Sequence, residues 1–472
     1  MQEVDDQRQF DPRVAAIDVG AMNYAEMDQR RMKNALDRMG EMLGWAAGVS
    51  GPLGQVIKAG AKVVIKPNFV MHENSGPGGM APLLTHQSLV QAATRAALLA
   101  NPAEVMVGDA PIQGCDFDLL LKNAELDTWS KSLQLQDTRF TGIRDFRRTI
   151  AKFVDGVRIA EENLQSEDRF VLFDLGAESL LEPITDENSS FRVTCYDPRL
   201  MAKTHAPGCH RYLIAREILE ADVVVNLPKL KTHQKAGITC ALKNLIGING
   251  NKEYLPHHRI GGLDLGGDCY PGGSDLKRAL EFIHDRQNMS NSHAASRMWR
   301  TAANQFYRLL RLKGDRFGLE GSWSGNDTIW RTCLDLNRIL LYGTPEGTIA
   351  DNLQRSVIHI TDAIVAGQGN GPLSPEPLPM GLLLAGGNAA AVDWIGAYLL
   401  GYSPEDIPIA REAFGTFRWP LTKFLPAEIE LLGDLGNGSA DKLLQSRPVE
   451  PINHPIGWQD VARSQRRHAV LS

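Results

Sequence analysis

Cysteine is scarce in this chain, and the few cysteines lie far apart. Among 472 residues there are 6 cysteines, and no two of them form a C-x-x-C pair. Ferredoxin segments and zinc ribbons depend on such pairs, and a disulfide scaffold needs a denser set of cysteines. These classes are excluded, and we expect reduced thiols in the cytoplasm.

The chain also lacks an excess of positive charge. Its 50 lysines and arginines are outnumbered by 56 aspartates and glutamates, which gives a formal net charge of −6 at pH 7. A nucleic-acid-binding protein normally carries a basic footprint. We therefore expect no nucleic-acid partner, and any basic site must be local.

An apolar run suited to crossing a membrane is missing as well. The best candidate, residues 380–401, contains Asn388 and Asp393, and a central aspartate costs a spanning helix roughly 2.5 to 3.5 kcal/mol. A buried strand, a turn and a helix explain this stretch better. Since the acidic N-terminus has no signal-peptide core, we predict a cytoplasmic protein without a transmembrane segment.

Several motifs of cofactor and hydrolase chemistry are absent from the sequence. There is no G-x-x-x-x-G-K-[ST] loop, and the glycines at 367–371 do not have the spacing of a dinucleotide fingerprint. Neither a G-x-S-x-G elbow nor an H-E-x-x-H helix occurs. The cofactor, if there is one, stays unknown.

What the chain does contain is an alternation of short β-branched runs with helical patterns. Such βα alternation predicts an α/β fold with a mostly parallel sheet and crossover helices, plus insertions that form a smaller cap or second lobe. The clearest strand candidates are residues 63–66, 104–108, 222–226, 357–361 and 382–385, and the weaker ones are 14–18, 171–175 and 428–432.

These patterns divide the chain into five predicted segments. They are an N-terminal extension with the first strand (1–60), an α/β core with the site motifs (61–250), an insertion (251–345), a return to the core (346–435) and a C-terminal tail (436–472). The insertion contains a helix that Asn326 and Asp327 can cap.

The insertion also contains a basic amphipathic pattern at residues 296–316. Arginines, a lysine and large apolar residues alternate there at helical spacing. A solvated helix face packed on its own domain is the simpler interpretation. The alternative is a surface that binds a partner protein or a membrane.

Polar residues follow the predicted strands, and this is the strongest functional signal. In open α/β sheets, ligands bind beyond the carboxyl ends of the strands. The residues found there, or soon after, are Lys66, Asn68, Asp109, Asn226, Lys229, Lys231, His233, Lys243, Asn244, His257, His258 and Arg259. Because Lys229 and Lys231 are two apart, an extended segment would turn both toward one side, where they could hold an anion.

This pattern predicts a soluble α/β enzyme that binds a small phosphate- or carboxylate-bearing metabolite. The lysines would hold the anion and the asparagines would orient it. His233 would carry the proton because its ordinary pKa lies near neutrality. Lys231 would assist in catalysis, and Asp109 or Asp393 would be the acidic counterpart.

Histidines and cysteines between residues 205 and 258 raise the question of a metal. The segment T-H-A-P-G-C-H at 204–210 matches no ligand spacing that we can defend. We therefore assign no metal site from the sequence.

Several of these segments resemble a known family. They are VVIKPN (63–68), VVNLPKLKTH (224–233), ALKNLIG (241–247), AAVD (390–393) and WRTCLDLN (330–337). Together they resemble domain of unknown function 362. The resemblance implies a fold and a site rather than a reaction. Many members of that family carry a ferredoxin-like segment, from which this chain departs because it has no C-x-x-C-x-x-C run.

Two alternatives to the enzyme hypothesis stay open. The same residues could hold a ligand in a non-catalytic binding or assembly protein, with a partner docked at 296–316. Scattered histidines and cysteines could instead form the site of a metal-dependent or iron–sulfur-linked oxidoreductase.

Overall fold

The fold is described from a computed structural model. It describes residues 2–154, 157–187, 190–290, 292–315, 318–445 and 451–462. Arg316, the last residue of the predicted basic segment, lies outside these ranges, as do parts of the predicted C-terminal tail, 446–450 and 463–472.

The strands of the described ranges are short except for one long hairpin. They are β1 Arg13–Asp18, β2 Lys62–Pro67, β3 Glu104–Asp109, β4 Phe140–Asp145, β5 Thr149–Val154, β6 Val157–Asn163, β7 Phe170–Asp174, β8 Phe191–Arg192, β9 His205–Ala206, β10 Cys209–Ala215, β11 Val223–Leu227, β12 Lys229–His233, β13 Gly237–Thr239, β14 His258–Arg259, β15 Ser356–Asn370, β16 Ser374–Gly386, β17 Glu430–Gly433 and β18 Gly438–Ser439.

The α-helices alternate with these strands over much of the chain. They are α1 Gln2–Gln9, α2 Gln29–Met42, α3 Gln87–Leu99, α4 Phe117–Asn123, α5 Asp127–Gln136, α6 Pro198–Thr204, α7 Arg216–Glu220, α8 Ala241–Asn244, α9 Asp275–Asn288, α10 His293–Leu312, α11 Ile329–Tyr342, α12 Ala389–Leu399, α13 Pro408–Glu412 and α14 Ala440–Gln445.

A large mixed sheet forms the centre of the molecule. Its strand order is β18-β17-β1-β16-β15-β11-β2-β3-β4, with β12 and β13 attached beside β15. The neighbours from β15 to β4 are parallel, whereas β16 runs antiparallel to both β15 and β1. The α/β class and the mostly parallel sheet predicted from the sequence are confirmed.

Alternate residues of each central strand pack into different cores, as a strand between two helical layers requires. In β2, Val63 and Ile65 join the core that α2 and α3 cover. Val64 joins the opposite core, which includes α8, α11 and α12. All five residues of β11 are buried. These two cores hold the carboxyl ends of the strands in fixed positions.

Some predicted strands take a different place from the one that a simple βα alternation suggests. The run at 171–175 lies in β7, which pairs with β10 in a separate small sheet. The run at 382–385 lies in the antiparallel strand β16. The position of a strand in a sheet depends on which distant strand it pairs with, and the local sequence pattern gives no information about that partner.

Residues 380–401 form the end of β16 and helix α12, as predicted for a strand, a turn and a helix. The Asn388 side chain caps α12 by accepting from Ala390 N and Ala391 N. Across the ranges that the structure describes, none of the helices combines the length and the apolar character needed to span a bilayer.

Residues of the predicted insertion pack into a small core of their own. Ala303 and Leu310 of α10 join Leu280 and Ile283 of α9 there, together with Tyr270. The helix predicted after Asn326 is α11. The Asn326 Oδ1 atom accepts from Thr328 N and Ile329 N, each at 3.0 Å.

Candidate functional site

A cavity of about 360 Å³ lies where β2, β3 and β12 end. Its wall includes seven of the predicted site residues: Asn68, Asp109, Lys231, His233, Lys243, Asn244 and His257. They come from the ends of strands, from helix α8 and from the segment that precedes β14. Other parts of the wall include residues 110–114 and 193–196 and the turn of the β15–β16 hairpin at Pro372 and Leu373.

Four lysines line this cavity: Lys231, Lys235, Lys243 and Lys252. The Lys231 ammonium donates to Leu83 O at 2.5 Å. Lys235 Nζ donates to Thr194 Oγ1 at 3.2 Å and lies 3.8 Å from a Glu320 carboxylate oxygen. Half of the set is therefore anchored to protein atoms.

The other two lysines have no such anchor. Within the described ranges, neither the Lys243 nor the Lys252 ammonium makes a hydrogen bond or an ion pair with the protein. Burial lowers the pKa of Lys243, and neighbouring Lys235 adds to the effect. Burial, together with Lys243 and Lys235, lowers the pKa of Lys252 to about 7. Among the described residues no carboxylate pairs with either lysine, and the lowered pKa values mean that burial and the neighbouring lysines disfavour the protonated amines.

The carboxylates at the cavity are already engaged. Asp109 lies 2.7 Å from the Lys66 ammonium, and both side chains are buried. The second Asp109 oxygen accepts from Phe69 N at 2.6 Å. Burial raises the pKa of Asp109 and lowers that of Lys66, while each partner opposes the shift of the other. Asp109 thus serves to hold Lys66 and the end of β2.

A glycine allows helical backbone to approach this pair. A Cβ atom at Gly247 would lie 1.9 Å from Asp109 Oδ1 and 2.9 Å from Lys66 Nζ. In addition, Gly247 O accepts from Ala110 N at 2.9 Å. The segment after α8 therefore closes against the end of β3.

The two imidazoles in the cavity have opposite hydrogen-bonding states. His233 Nδ1 accepts from Lys235 N at 3.0 Å and from Ala236 N at 3.2 Å, so a neutral ring carries its proton on Nε2. His257 Nδ1 lies 2.7 Å from Leu255 O, a carbonyl that can only accept, so its Nε2 has a free lone pair. Burial, followed by the surrounding lysines, lowers the pKa of both rings well below the ordinary value. Near neutral pH, His233 is a donor and His257 an acceptor.

The asparagines form a chain of amides beneath the cavity. Asn244 Nδ2 donates to Asn226 Oδ1 at 2.7 Å, and Asn226 Nδ2 donates to Ala241 O at 3.0 Å. Among the residues that the structure describes, the buried oxygens Asn68 Oδ1 and Asn244 Oδ1 have no hydrogen-bond partner. Asn226 therefore positions Asn244 and does not line the cavity.

Lys229 lies away from the cavity. Its ammonium is 2.9 Å from Asp362 and 2.6 Å from the Tyr24 hydroxyl, and it is fully buried. The pairing of β12 with β15 is irregular between Lys229 and Lys231, which face Asp362 and Gly367. Because of this irregularity, the structure does not bring Lys229 and Lys231 to one anion as the sequence pattern predicts.

Asp393, His258 and Arg259 are also outside the cavity. Asp393 Oδ1 accepts from Leu242 N at 3.2 Å, so it holds the first turn of α8, from which Lys243 projects. Burial raises the pKa of Asp393 to about 7. His258 and Arg259 form β14, and Arg259 lies 3.8 Å from Asp268.

Lys235, Lys252 and Tyr196 line the cavity without having been singled out in the sequence. Lys235 follows His233 closely, and its position beside the Lys-Thr-His motif is a signal that could have identified it. Lys252 and Tyr196 carry no local signal, since only tertiary packing brings their segments to the strand ends.

For metal binding, three or more His, Cys, Asp or Glu side chains must converge. Over the ranges described here, no such group is placed to hold a metal ion. The buried pair His205 and His210, with Nδ1 atoms 3.2 Å apart, belongs instead to a hydrogen-bonded cluster with Glu182.

Fold and cavity together define an α/β protein with a lysine-rich cavity at the carboxyl ends of its strands. The chain belongs to the family described as domain of unknown function, DUF362, whose model matches residues 146–398. The resemblance seen in the sequence motifs is thereby confirmed. The Lys66 motif and Asp109 precede the matched segment.

One curated relative is a thylakoid-associated protein of Synechocystis sp. It is 24% identical over 214 residues, which are 45% of this chain and 43% of that protein. The chain thus spans less than half of the length of this relative. A crystal structure of a Thermotoga maritima protein aligns with 74% of this chain and 53% of its own, at 11% identity and a TM-score of 0.29.

Proposed function

We propose that the protein binds, in this cavity, a small metabolite that carries at least two negative charges. One observation carries the proposal: Lys243 and Lys252 line the cavity without a carboxylate partner among the described residues, while Asp109 and Glu320 lie beside other lysines. Two ammonium groups held together repel each other, and an anion between them removes that repulsion. Phosphate or carboxylate groups have the matching charge.

The rest of the wall indicates an apolar part in the same ligand. Phe69, Tyr196, Ile246 and Leu373 line the cavity together with the lysines. A volume of about 360 Å³ is within the range that small-molecule sites occupy. The expected ligand therefore has an anionic end and an apolar end.

Within this proposal the protein is an enzyme of the cytoplasm. Because the pKa of His233 is well below neutrality, its neutral ring would donate a hydrogen bond to the ligand and would not supply the proton predicted from the sequence. The free Nε2 lone pair of His257 would accept a proton from the ligand, and Lys231 would stabilise negative charge on it. Asp109 and Asp393 position other groups and do not transfer protons to the ligand. The reaction class is left open, and the cytoplasmic location is in keeping with six unpaired cysteines.

Binding is tested by calorimetry with inorganic phosphate, pyrophosphate and citrate at constant ionic strength. We expect Lys243→Met with Lys252→Met to weaken binding of the best probe by more than tenfold, since each charge-assisted contact is worth about 1.5 to 3 kcal/mol. The matched control is Lys122→Met with Lys131→Met, two exposed lysines of α4 and α5. Equal binding by both double variants would refute the proposal.

Native mass spectrometry of the purified protein is the complementary experiment. A co-purified anion that is lost in the Lys243→Met and Lys252→Met variant would name the ligand. If that ligand is chemically changed after incubation with the protein, the protein is an enzyme; an unchanged ligand favours the non-catalytic binding protein. Elemental analysis after purification without oxygen tests the metal-dependent alternative.

A further inference from the structure

Helix α10, His293–Leu312, has three distinct faces. Ser296, Ala303 and Leu310 are buried and recur every seven residues, so they form the face that packs against the protein. The helix contains four arginines and no acidic residue, in a chain whose net charge is −6. The outward side of α10 is therefore positively charged in a protein whose net charge is negative.

The second face is an exposed apolar stripe. Met298, Leu309 and Leu312 are 59%, 46% and 84% exposed. At 3.6 residues per turn these three positions lie within about 60° of one another, and they span about 21 Å of helix. Exposed Gln305 lies in the same sector, so the apolar residues form two patches, Met298 on one side of it and Leu309 with Leu312 on the other. Phe282 of the neighbouring helix α9 is also half-exposed and contacts Trp299. Large apolar side chains in water on one line of a helix mark a contact surface.

The third face is a row of arginines beside this stripe. Arg297, Arg308 and Arg311 are exposed and lie about 100° around the helix from the apolar residues. Across the described part of the chain, none of the three forms an ion pair. The row therefore offers positive charge with which no carboxylate of the described residues is paired.

We propose that α10 lies flat on an anionic lipid bilayer. Met298, Leu309 and Leu312 would enter the boundary between headgroups and acyl chains, and the arginines would contact lipid phosphates. Amphipathic helices with a basic polar face bind membrane surfaces in this way. The anionic cytoplasmic leaflet attracts such basic segments.

Charge and shape favour a bilayer over a protein groove. The stripe lies on a convex helix that is already packed against α9, so it offers a narrow line of apolar contact rather than a pocket for a partner side chain. The arginines are spread over about four turns of the helix. A protein partner would need carboxylates at matching positions, whereas a bilayer of anionic lipids presents negative charge everywhere along the helix. The surface is also separate from the cavity, so this inference does not depend on the proposed function.

The test is flotation of the full-length protein with vesicles. We expect binding to vesicles of phosphatidylcholine with phosphatidylglycerol, and much weaker binding to phosphatidylcholine alone. Leu309→Ser with Leu312→Ser should lower the partition coefficient at least about tenfold. Substituting Arg297, Arg308 and Arg311 by glutamine should lower it about fivefold per arginine on anionic vesicles.

Matched controls come from helices on another part of the surface. Leu135→Ser removes an exposed leucine of α5, and Lys122→Gln with Lys131→Gln removes two exposed charges of α4 and α5. These variants should bind vesicles as the parent chain does, and thermal unfolding should show that all variants fold.

Three results would overturn the inference. The first is an absence of flotation with anionic vesicles, and the second is flotation that the leucine and arginine substitutions leave unchanged. The third is self-association of the protein in sedimentation that Leu312→Ser abolishes while vesicles bind nothing, because the stripe would then be an interface between copies of this chain.

Discussion

The Asp109 carboxylate lies 2.7 Å from the Lys66 ammonium beneath the cavity, and both side chains are buried. The two residues end neighbouring parallel strands, β2 and β3. Their attraction joins the two strand ends at the point where the chain turns to form the cavity wall. Removing one member of such a buried pair is strongly destabilising, because the other charge is left without a partner and without hydration by water.

Lys66→Met should destabilise the protein by about 3 to 5 kcal/mol, since it leaves the Asp109 carboxylate buried and unpaired. Urea denaturation measures this change. The control is Lys33→Met, which breaks an exposed pair with Asp37 and should cost less than about 1 kcal/mol. A similar small cost for both variants would contradict the structural role of the Lys66 pair.

Gly247→Ala should disturb the same pair sterically. The new methyl group would lie 1.9 Å from Asp109 Oδ1, and such overpacking costs about 1 to 3 kcal/mol. Gly318→Ala is the matched control because, among the described residues, its Cβ would meet only Ser322, at 3.8 Å. Thermal unfolding of both variants checks the prediction, which fails if Gly247→Ala is as stable as Gly318→Ala.

Lys252→Met should stabilise the ligand-free protein at pH 7 while it weakens anion binding. The folded pKa of Lys252 is about 7, against an ordinary value of 10.5, so the unfolded chain binds the proton more tightly. The contribution of this lysine to stability therefore rises as pH increases from about 7 to 10. The substitution should reduce this rise in denaturation experiments across that range. Lys122→Met, an exposed substitution, should leave the pH profile unchanged.

Asp393→Asn should flatten the pH dependence of stability below pH 8. The folded pKa of Asp393 is about 7, above its ordinary value of 3.8, because the carboxyl group is buried. The folded state thus binds the proton more tightly, and this stabilisation is present below pH 4 and lost as pH rises through 7. Compared with the parent chain, the asparagine variant should lose less stability between pH 5 and 8. Asp118→Asn, at an exposed position of α4, should follow the parent profile.

Strand positions and the polar residues after them could be predicted because both depend on local pattern. Buried parallel strands are continuous apolar runs, and their carboxyl ends converge whatever the connections are. This is why Asn68, Asp109 and Lys231 reach one cavity. That these residues meet at one edge of the sheet follows from the fold class.

The remaining arrangement could not be predicted because it depends on register and on distant segments. The separation of Lys229 from Lys231 results from irregular pairing with β15, which residue spacing does not contain. Lys252 and Glu320 reach the cavity through the packing of segments far apart in the chain. Whether a lysine of the cavity has a carboxylate partner can be seen only in the folded structure, where all neighbouring side chains are known.

Strand β15 pairs with β11 over its first part and with β12 over its second part. Lys231 and His233 therefore lie in a strand that is hydrogen-bonded within the sheet, not in a loop. Under the proposed function, a ligand in this cavity would meet backbone that is already hydrogen-bonded, and little conformational entropy would be lost on binding. Because the β15–β16 hairpin holds β12 in place, the cavity should bind best those molecules whose charged groups already match the positions of its side chains. Molecules that require the backbone to move should bind more weakly.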